Sequence, residues 1–140
     1  MHKIVFLFEF CCIIVLNMNV NQKQQILDFI KKKYKVSGDC PWAKYPDFRV
    51  LRHLDNKKWF GLLMNIPKQK LGLSGDDNID VLNIKTDPVV IGSFIKQRGI
   101  MPAYHMNKAS WVSVLLDGSV PLSDIEFLLN VSFELTKSKK

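Results

Sequence analysis

Two adjoining segments carry most of the information in this chain: residues 102–108, PAYHMNK, and residues 111–118, WVSVLLDG. The first places tyrosine, histidine, asparagine and lysine within a few residues, which is unusual for a plain connecting loop. The second begins with an apolar run that predicts a strand, and its Asp117-Gly118 pair predicts a turn. Together they predict a polar, aromatic segment that leads into a strand and a turn.

Upstream of these segments, two apolar runs predict a β-hairpin. Residues 48–54 and 57–66 are strand-like and are joined around Asp55-Asn56, two residues that tolerate the positive φ of a tight turn. A two-residue turn at this point would put Arg52 opposite Trp59. The guanidinium of Arg52 would then stack on the indole.

Three helices are predicted around the strands. The first begins at Asn21, the second has Asp87 as its N-cap, and the third begins at Ser123, with Glu126 completing a capping box. A further strand is predicted over residues 79–85. The order of helix, strands, helix, strands, helix, with short turns, predicts an α+β fold: a mostly antiparallel sheet with helices packed on one face.

The length and the amino terminus define the expected domain. A chain of 140 residues is typical of one domain. Residues 4–16 are nearly all apolar, yet they lack a signal-peptide cleavage site and are short for a transmembrane helix. We therefore expect one domain over residues 18–140 and an apolar leader over residues 1–17, with a membrane anchor as the alternative.

Charge and cysteine content narrow the partner class. The formal net charge of +7 favours anionic partners, namely nucleic acid, an acidic membrane surface or an acidic protein. A lysine-rich solvated surface is the alternative.

Cys11 and Cys12 are adjacent and Cys40 stands alone, a spacing that argues against disulfides and zinc. We expect a reduced, cytoplasmic monomer that is not bound to membranes and has no metal or cofactor.

Five sequence blocks stand out: residues 42–46 (WAKYP), 52–60 (RHLDNKKWF), 83–88 (NIKTDP), 102–108 (PAYHMNK) with Trp111, and 116–121 (LDGSVP). Through these blocks the chain from about residue 18 to residue 136 resembles the MmcQ/YjbR family. The resemblance implies a compact fold similar to frataxin-type, CyaY-like domains and a double-wing arrangement proposed to bind DNA. It brings no well-established reaction.

The first class of function is a sequence-tolerant nucleic-acid binder, with duplex DNA as the expected ligand. Its wings would be the basic hairpin tip at Lys57-Lys58 and the turn at Asn107-Lys108, where cations contact phosphates. The candidate binding residues are Arg52, Asn56, Lys57, Lys58, Lys85, Tyr104, His105, Asn107, Lys108 and Trp111.

Two other classes stay open. A protein-interaction or small-ligand module would use Tyr104, His105, Trp111 and Arg52 to line a pocket for an anionic group. An enzyme would need a histidine with a placed carboxylate, or a nucleophile with an orienting partner. His53 and His105 are available, but the sequence contains no complete catalytic set, so no catalytic residue is assigned and no enzymatic activity is predicted.

Overall fold

A computed structural model describes residues 21–139 of the chain. Its strands are β1 (Arg49–Arg52), β2 (Trp59–Pro67), β3 (Asn78–Lys85), β4 (Ile100–Pro102) and β5 (Trp111–Leu115). Its α-helices are α1 (Gln22–Tyr34), α2 (Ile91–Phe94) and α3 (Leu122–Thr136). The strands form one open antiparallel sheet in the order β1-β2-β3-β5-β4. The predicted α+β class is confirmed.

The two long helices cover one face of the sheet. Ile26 and Ile30 of α1 and Ile125 and Leu129 of α3 are fully buried, in one cluster with side chains from all five strands. Burial of each such side chain contributes about 1.5–3 kcal/mol. The prediction that helices pack on one face is therefore confirmed.

Loops cover the other face. This loop-covered face has its own buried cluster, to which β2 and β3 contribute Leu62, Met64, Ile66 and Val81. Because both faces are buried, β2 reads as a nearly continuous apolar run rather than an alternating one. The side chains that the loops pack against this cluster include Trp42, Phe48, Leu71, Leu73, Tyr104 and Met106.

A β-bulge interrupts the pairing of β1 with β2. Arg52 lies opposite Trp59, whereas Leu51 lies opposite Gly61, so Phe60 is an extra residue in β2. Phe60 packs in the helix-side cluster, and Trp59 packs on the loop-covered face. Gly61 leaves room for Leu51, because a Cβ there would lie 2.7 Å from the Cδ1 of Leu51.

The hairpin loop, residues 53–58, is longer than the sequence predicts. The backbone N–H of His53 donates to the Lys58 carbonyl at 2.9 Å, and the N–H of Lys57 donates to the His53 carbonyl at 3.2 Å. The left-handed residue is Lys57, with φ of 63°, and not Asp55 or Asn56. The predicted two-residue turn is wrong, but the predicted pairing of Arg52 with Trp59 is confirmed.

The predicted start of the last helix is also wrong. Helix α3 begins at Leu122 after Pro121, with no side-chain hydrogen bond at its N-cap, so Ser123 lies inside the first turn. The Asp87 carboxylate accepts from the Val89 N–H at 2.9 Å, as predicted, but it caps a 3-10 turn over Pro88–Val90, and the α-helix that follows has only four residues. Strand β4 was not predicted.

Ser132 of α3 fixes this helix to the sheet. Its hydroxyl donates to the carbonyl of Phe60 at 2.6 Å and accepts from the N–H of Lys85 at 2.9 Å. The bonds join α3 to β2 and β3 at the point where Lys85 ends its strand.

The predicted leader, residues 1–17, and the predicted domain start at Met18 lie outside the described residues. No helix between residues 21 and 139 is long and apolar enough to span a bilayer.

Candidate nucleic-acid interface

The register brings several connecting segments to one end of the sheet, which we call the hairpin end. Arg52 lies opposite Trp59, Ile84 opposite Gly61, and Lys85 opposite Trp111. Strand β1 therefore ends where β2 begins, and β3 ends where β5 begins. Consequently the hairpin loop, the segment that follows β3 and the segment that precedes β5 all meet the sheet at this end.

Four candidate lysines lie at the hairpin end. Lys57 and Lys58 are exposed on the hairpin loop, Lys85 ends β3 and is half-buried, and Lys108 is exposed just before β5. None of the four forms an ion pair with another residue in the range 21–139. Three separate segments thus bring unpaired positive charge to one end of the sheet.

Arg52 is already engaged by other residues. Its Nε lies 3.2 Å from both carboxylate oxygens of Asp39, and its guanidinium carbon lies 5.4 Å from the ring centroid of Trp59. The predicted stacking on Trp59 is confirmed. Because both partners hold the guanidinium, Arg52 is less available for a phosphate than the four lysines are.

Two further carboxylates lie near the lysines, and both accept local hydrogen bonds. Asp55 accepts from the Ser138 hydroxyl at 2.9 Å and from the Asn56 N–H at 2.7 Å, and these bonds lower the pKa of Asp55. Asp87 accepts from the N–H of Val89. Asp55 therefore stays ionised at neutral pH and reduces the positive potential beside Lys57.

Acidic side chains gather at the opposite end of the sheet, the far end, where β3 and α3 begin and β5 ends. Lys68 also lies there; its Nζ is 3.1 Å from the carboxylate of Asp77 and lowers the pKa of that group. These carboxylates therefore lie away from the four lysines of the hairpin end, in a region that also contains cations such as Lys68 and Lys23. The acidic residues at the far end are Asp76, Asp77, Asp80, Asp117 and Asp124.

The two candidate asparagines shape the loops that carry the lysines. The side-chain oxygen of Asn56 accepts from the Lys58 N–H at 2.8 Å, and its amide donates to the Thr136 carbonyl at 3.0 Å. The side-chain oxygen of Asn107 accepts from the Ala109 N–H at 2.9 Å. Both side chains therefore position neighbouring lysines instead of projecting freely from the surface.

Tyr104 and His105 belong to a different part of the molecule. The Tyr104 N–H donates to the Ser113 hydroxyl at 2.9 Å, and the Asn83 amide donates to the Tyr104 carbonyl at 2.7 Å. These bonds hold the chain after β4 against the loop-covered face. Tyr104 and His105 line a pocket there whose lining includes neither Arg52 nor Trp111. The structure thus does not bring together the four residues expected to form one anion pocket.

A cleft beside the hairpin loop contains a further cation, which is not among the candidate binding residues. Lys35, the left-handed C-cap of α1, lines this cleft of about 460 Å³ together with Arg52, Lys57 and Asp39. Four lysines lie within residues 31–35, and a favourable contact with the helix dipole explains them at least as well as a phosphate-binding patch does, so the sequence alone does not select Lys35.

His53 is a buried core residue. Its ring lies 4.2 Å from the Phe133 ring and 5.2 Å from the Phe60 ring, and its Nε2 lies 2.8 Å from the Thr136 hydroxyl. Burial lowers the pKa of His53 and outweighs the opposing effect of Asp55 and Glu134; the charge of Lys58 lowers it further. Protonation of this ring is therefore disfavoured in the folded state.

This burial predicts a loss of stability in acid. Because the folded pKa of His53 lies below the ordinary histidine value of 6.5, the unfolded chain binds the extra proton more readily. The stabilisation from neutral His53 is complete above pH 6.5 and is lost as the pH falls below it. We expect the free energy of unfolding, from urea titrations between pH 7 and pH 5, to fall more steeply in the parent protein than in His53→Gln. The control variant His105→Gln changes an exposed histidine and should show the same pH dependence of the free energy of unfolding as the parent. The same pH dependence in the parent and both variants would contradict the assignment of this effect to His53.

A family model described as YjbR matches residues 31–135. This chain belongs to the YjbR family. The resemblance to the MmcQ/YjbR family that the sequence blocks indicate is thereby confirmed.

Among residues 21–139, no group of three or more His, Cys, Asp or Glu side chains is placed to hold a metal ion.

Two uncharacterized proteins are similar in sequence to this YjbR-family chain. It is 44% identical over 115 residues to the uncharacterized protein YyaQ of Bacillus subtilis, covering 82% of this chain and 98% of that protein. It is 36% identical over 59 residues to the uncharacterized protein YjbR of Escherichia coli K12, covering 41% of this chain and 50% of that protein.

Two solved structures are similar to the fold. A crystal structure of a Pseudomonas syringae protein matches with a TM-score of 0.81 at 48% identity, covering 82% of this chain and 98% of that one. A Deinococcus radiodurans protein described as carrying the domain DUF419 matches with a TM-score of 0.58 at 25% identity, covering 80% and 78% of the two chains. The names of these relatives specify no ligand or reaction.

Proposed function

We propose that this YjbR-family protein binds nucleic acid, with duplex DNA as the expected ligand, through phosphate contacts made by lysines of the hairpin end. The observation that supports the proposal is the gathering of Lys57, Lys58, Lys85 and Lys108 from three segments, without ion pairs to other residues of the range 21–139. Cations that are not already paired can exchange their counterions for phosphates.

The arrangement favours contact at two points on the phosphate backbone. The hairpin loop supplies Lys57 and Lys58, and the turn before β5 supplies Lys108, with Lys85 at the sheet end between them. Asn56 and Asn107 hold the two turns in shape. Because lysine contacts phosphate as a point charge, such binding would position the protein without reading base sequence.

A salt titration tests the proposal directly. We expect a fluorescently labelled duplex to bind at 50 mM salt in an anisotropy assay, and log K to fall linearly with log salt. Three or four phosphate contacts give a slope of about −3 to −4, so affinity should drop about 40- to 150-fold between 50 and 200 mM salt.

Two duplexes of unrelated sequence serve as the internal control, and their affinities should agree within about threefold because phosphate contacts carry no sequence information. No binding at 50 mM salt, or an affinity that does not respond to salt, would refute the proposal.

A further inference from the structure

A second cavity, of about 300 Å³, lies on the loop-covered face of the sheet. It is closed by the segment before β1, the end of β2 with the turn that follows it, and the loop between β4 and β5. We call it the face pocket. The residues that define it here are Tyr45, Phe48, Ile66, Lys70, Tyr104 and His105. Its size falls at the lower end of the range for small-molecule sites, which is about 300–1,000 Å³.

Two aromatic pairs line the face pocket. The rings of Tyr45 and Phe48 are stacked, with centroids 4.9 Å apart and planes 20° from parallel, yet Tyr45 is 44% exposed. The rings of Tyr104 and His105 meet at 60° with centroids 4.0 Å apart. Aromatic side chains bind planar rings better than aliphatic groups of the same size, because ring stacking adds to the burial of apolar surface.

Lys70 is the one formally charged side chain among the lining residues, and it forms no ion pair with any residue between 21 and 139. No carboxylate is found among the described residues that line the cavity. The amide of Asn65, which also lines it, is already bonded to Asp80 at 2.9 Å and to Asn78 at 2.8 Å. The described lining therefore offers an occupant one cation, with the Asp80 carboxylate held behind Asn65, an arrangement that favours a negative group placed at Lys70.

The backbone at His105 supports a binding role for this residue. His105 has a φ of 60°, in the left-handed region that favours glycine. A non-glycine residue held there costs on the order of 1–3 kcal/mol, and such strain clusters at ligand sites. Glycine would make the same turn without this cost, but it would remove the ring that lies against Tyr104.

We propose that the face pocket binds a small planar aromatic compound that carries one anionic group, with its ring against the aromatic pairs and its anion at Lys70. The proposal does not depend on nucleic-acid binding, because the hairpin-end lysines do not line this cavity. The anionic group can be a carboxylate or a phosphate, and matched probes separate the two.

The experiment follows amide chemical shifts of the full chain during titration with two probe sets. The first set is indole-3-carboxylate, its neutral carboxamide and cyclohexanecarboxylate. The second is adenosine 5′-monophosphate, adenosine and ribose 5-phosphate. We expect the planar anion of at least one set to bind with a Kd of about 1 mM or below, with shifts at Tyr45, Lys70 and His105. Its two partners should bind at least about fivefold more weakly, because each lacks the charge or the planar ring.

The set that binds identifies the anion as carboxylate or phosphate. Failure of both sets to shift the face-pocket residues, or equal binding of a planar anion and its neutral or non-planar partner, overturns the proposal.

His105→Gly and Lys35→Gly form a matched pair of variants. Each places glycine at a left-handed position, φ 60° in both cases, so neither should unfold the protein. Only His105→Gly should weaken probe binding, by about fivefold or more, since only it removes a ring from the pocket. Equal affinity in the two variants overturns the proposal. Duplex binding by His105→Gly should be unchanged, so the failure of one site is distinguishable from the failure of the other.

Discussion

Replacing Lys57, Lys58 and Lys108 together by glutamate is expected to weaken duplex binding by about 10²- to 10³-fold at 100 mM salt. Each lysine is exposed, and none is paired with another residue of the described range, so no ion pair has to be broken before it contacts a phosphate. The salt slope should also fall by about 3, because about 0.9 counterion is released per phosphate contact. Fluorescence anisotropy across a salt series measures both quantities on the same samples.

A second triple variant with the same change of net charge provides the control. Lys23, Lys96 and Arg98 lie on the first turn of α1 and in the segment that enters β4, towards the far end. Their replacement by glutamate should change duplex affinity by less than about tenfold and leave the slope nearly intact. If both triple variants lose affinity equally, overall charge is responsible, and the assignment to the hairpin end is wrong.

Phe60→Ala is expected to lower the free energy of unfolding by about 3–5 kcal/mol. The ring is fully buried, and its centroid lies 5.6 Å from that of Tyr34, 5.2 Å from that of His53 and 5.1 Å from that of Phe133. As the bulge residue, Phe60 joins α1, the hairpin loop and α3 in one contact. A loss of this size is a large share of the 5–15 kcal/mol typical of a domain.

Phe127→Ala is the matched variant, because Phe127 lies on α3 but is 66% exposed. Its effect should stay within about 0.5 kcal/mol. Urea denaturation at constant m-value gives both free energies. A cost below about 1 kcal/mol for Phe60→Ala would show that the bulge does not hold this corner of the core together.

The hairpin illustrates how far local sequence determines structure. The pairing of Arg52 with Trp59 could be predicted, because a two-residue turn and the observed longer loop give the same register at that pair. The loop itself could not, since the Asn56 amide bonds to the carbonyl of Thr136, 80 residues away. The bulge at Phe60 could not be predicted either, because one extra residue in an apolar run does not change the local sequence pattern.

The candidate site likewise has a part that the sequence predicts and a part that it does not. The placement of Lys57, Lys85 and Lys108 at one end follows from antiparallel connectivity, which short turns between strands indicate. The separation of Tyr104 and His105 from these lysines could not be predicted from connectivity. It depends on the hydrogen bonds that the backbone of Tyr104 forms with the side chains of Ser113 and Asn83, which hold this segment against the loop-covered face. Strand β4, only three residues long, is too short for a periodic pattern to reveal.

The four lysines of the hairpin end have no ion pair within residues 21–139, whereas the cations towards the far end lie among acidic side chains, so the positive charge of the folded chain is unevenly distributed. In the field of a polyanion, such a molecule experiences a torque that turns its cationic end forward before contact, which raises the fraction of encounters that start in a productive orientation. At physiological ionic strength this steering acts over about 8 Å, so it operates only in the last step of approach.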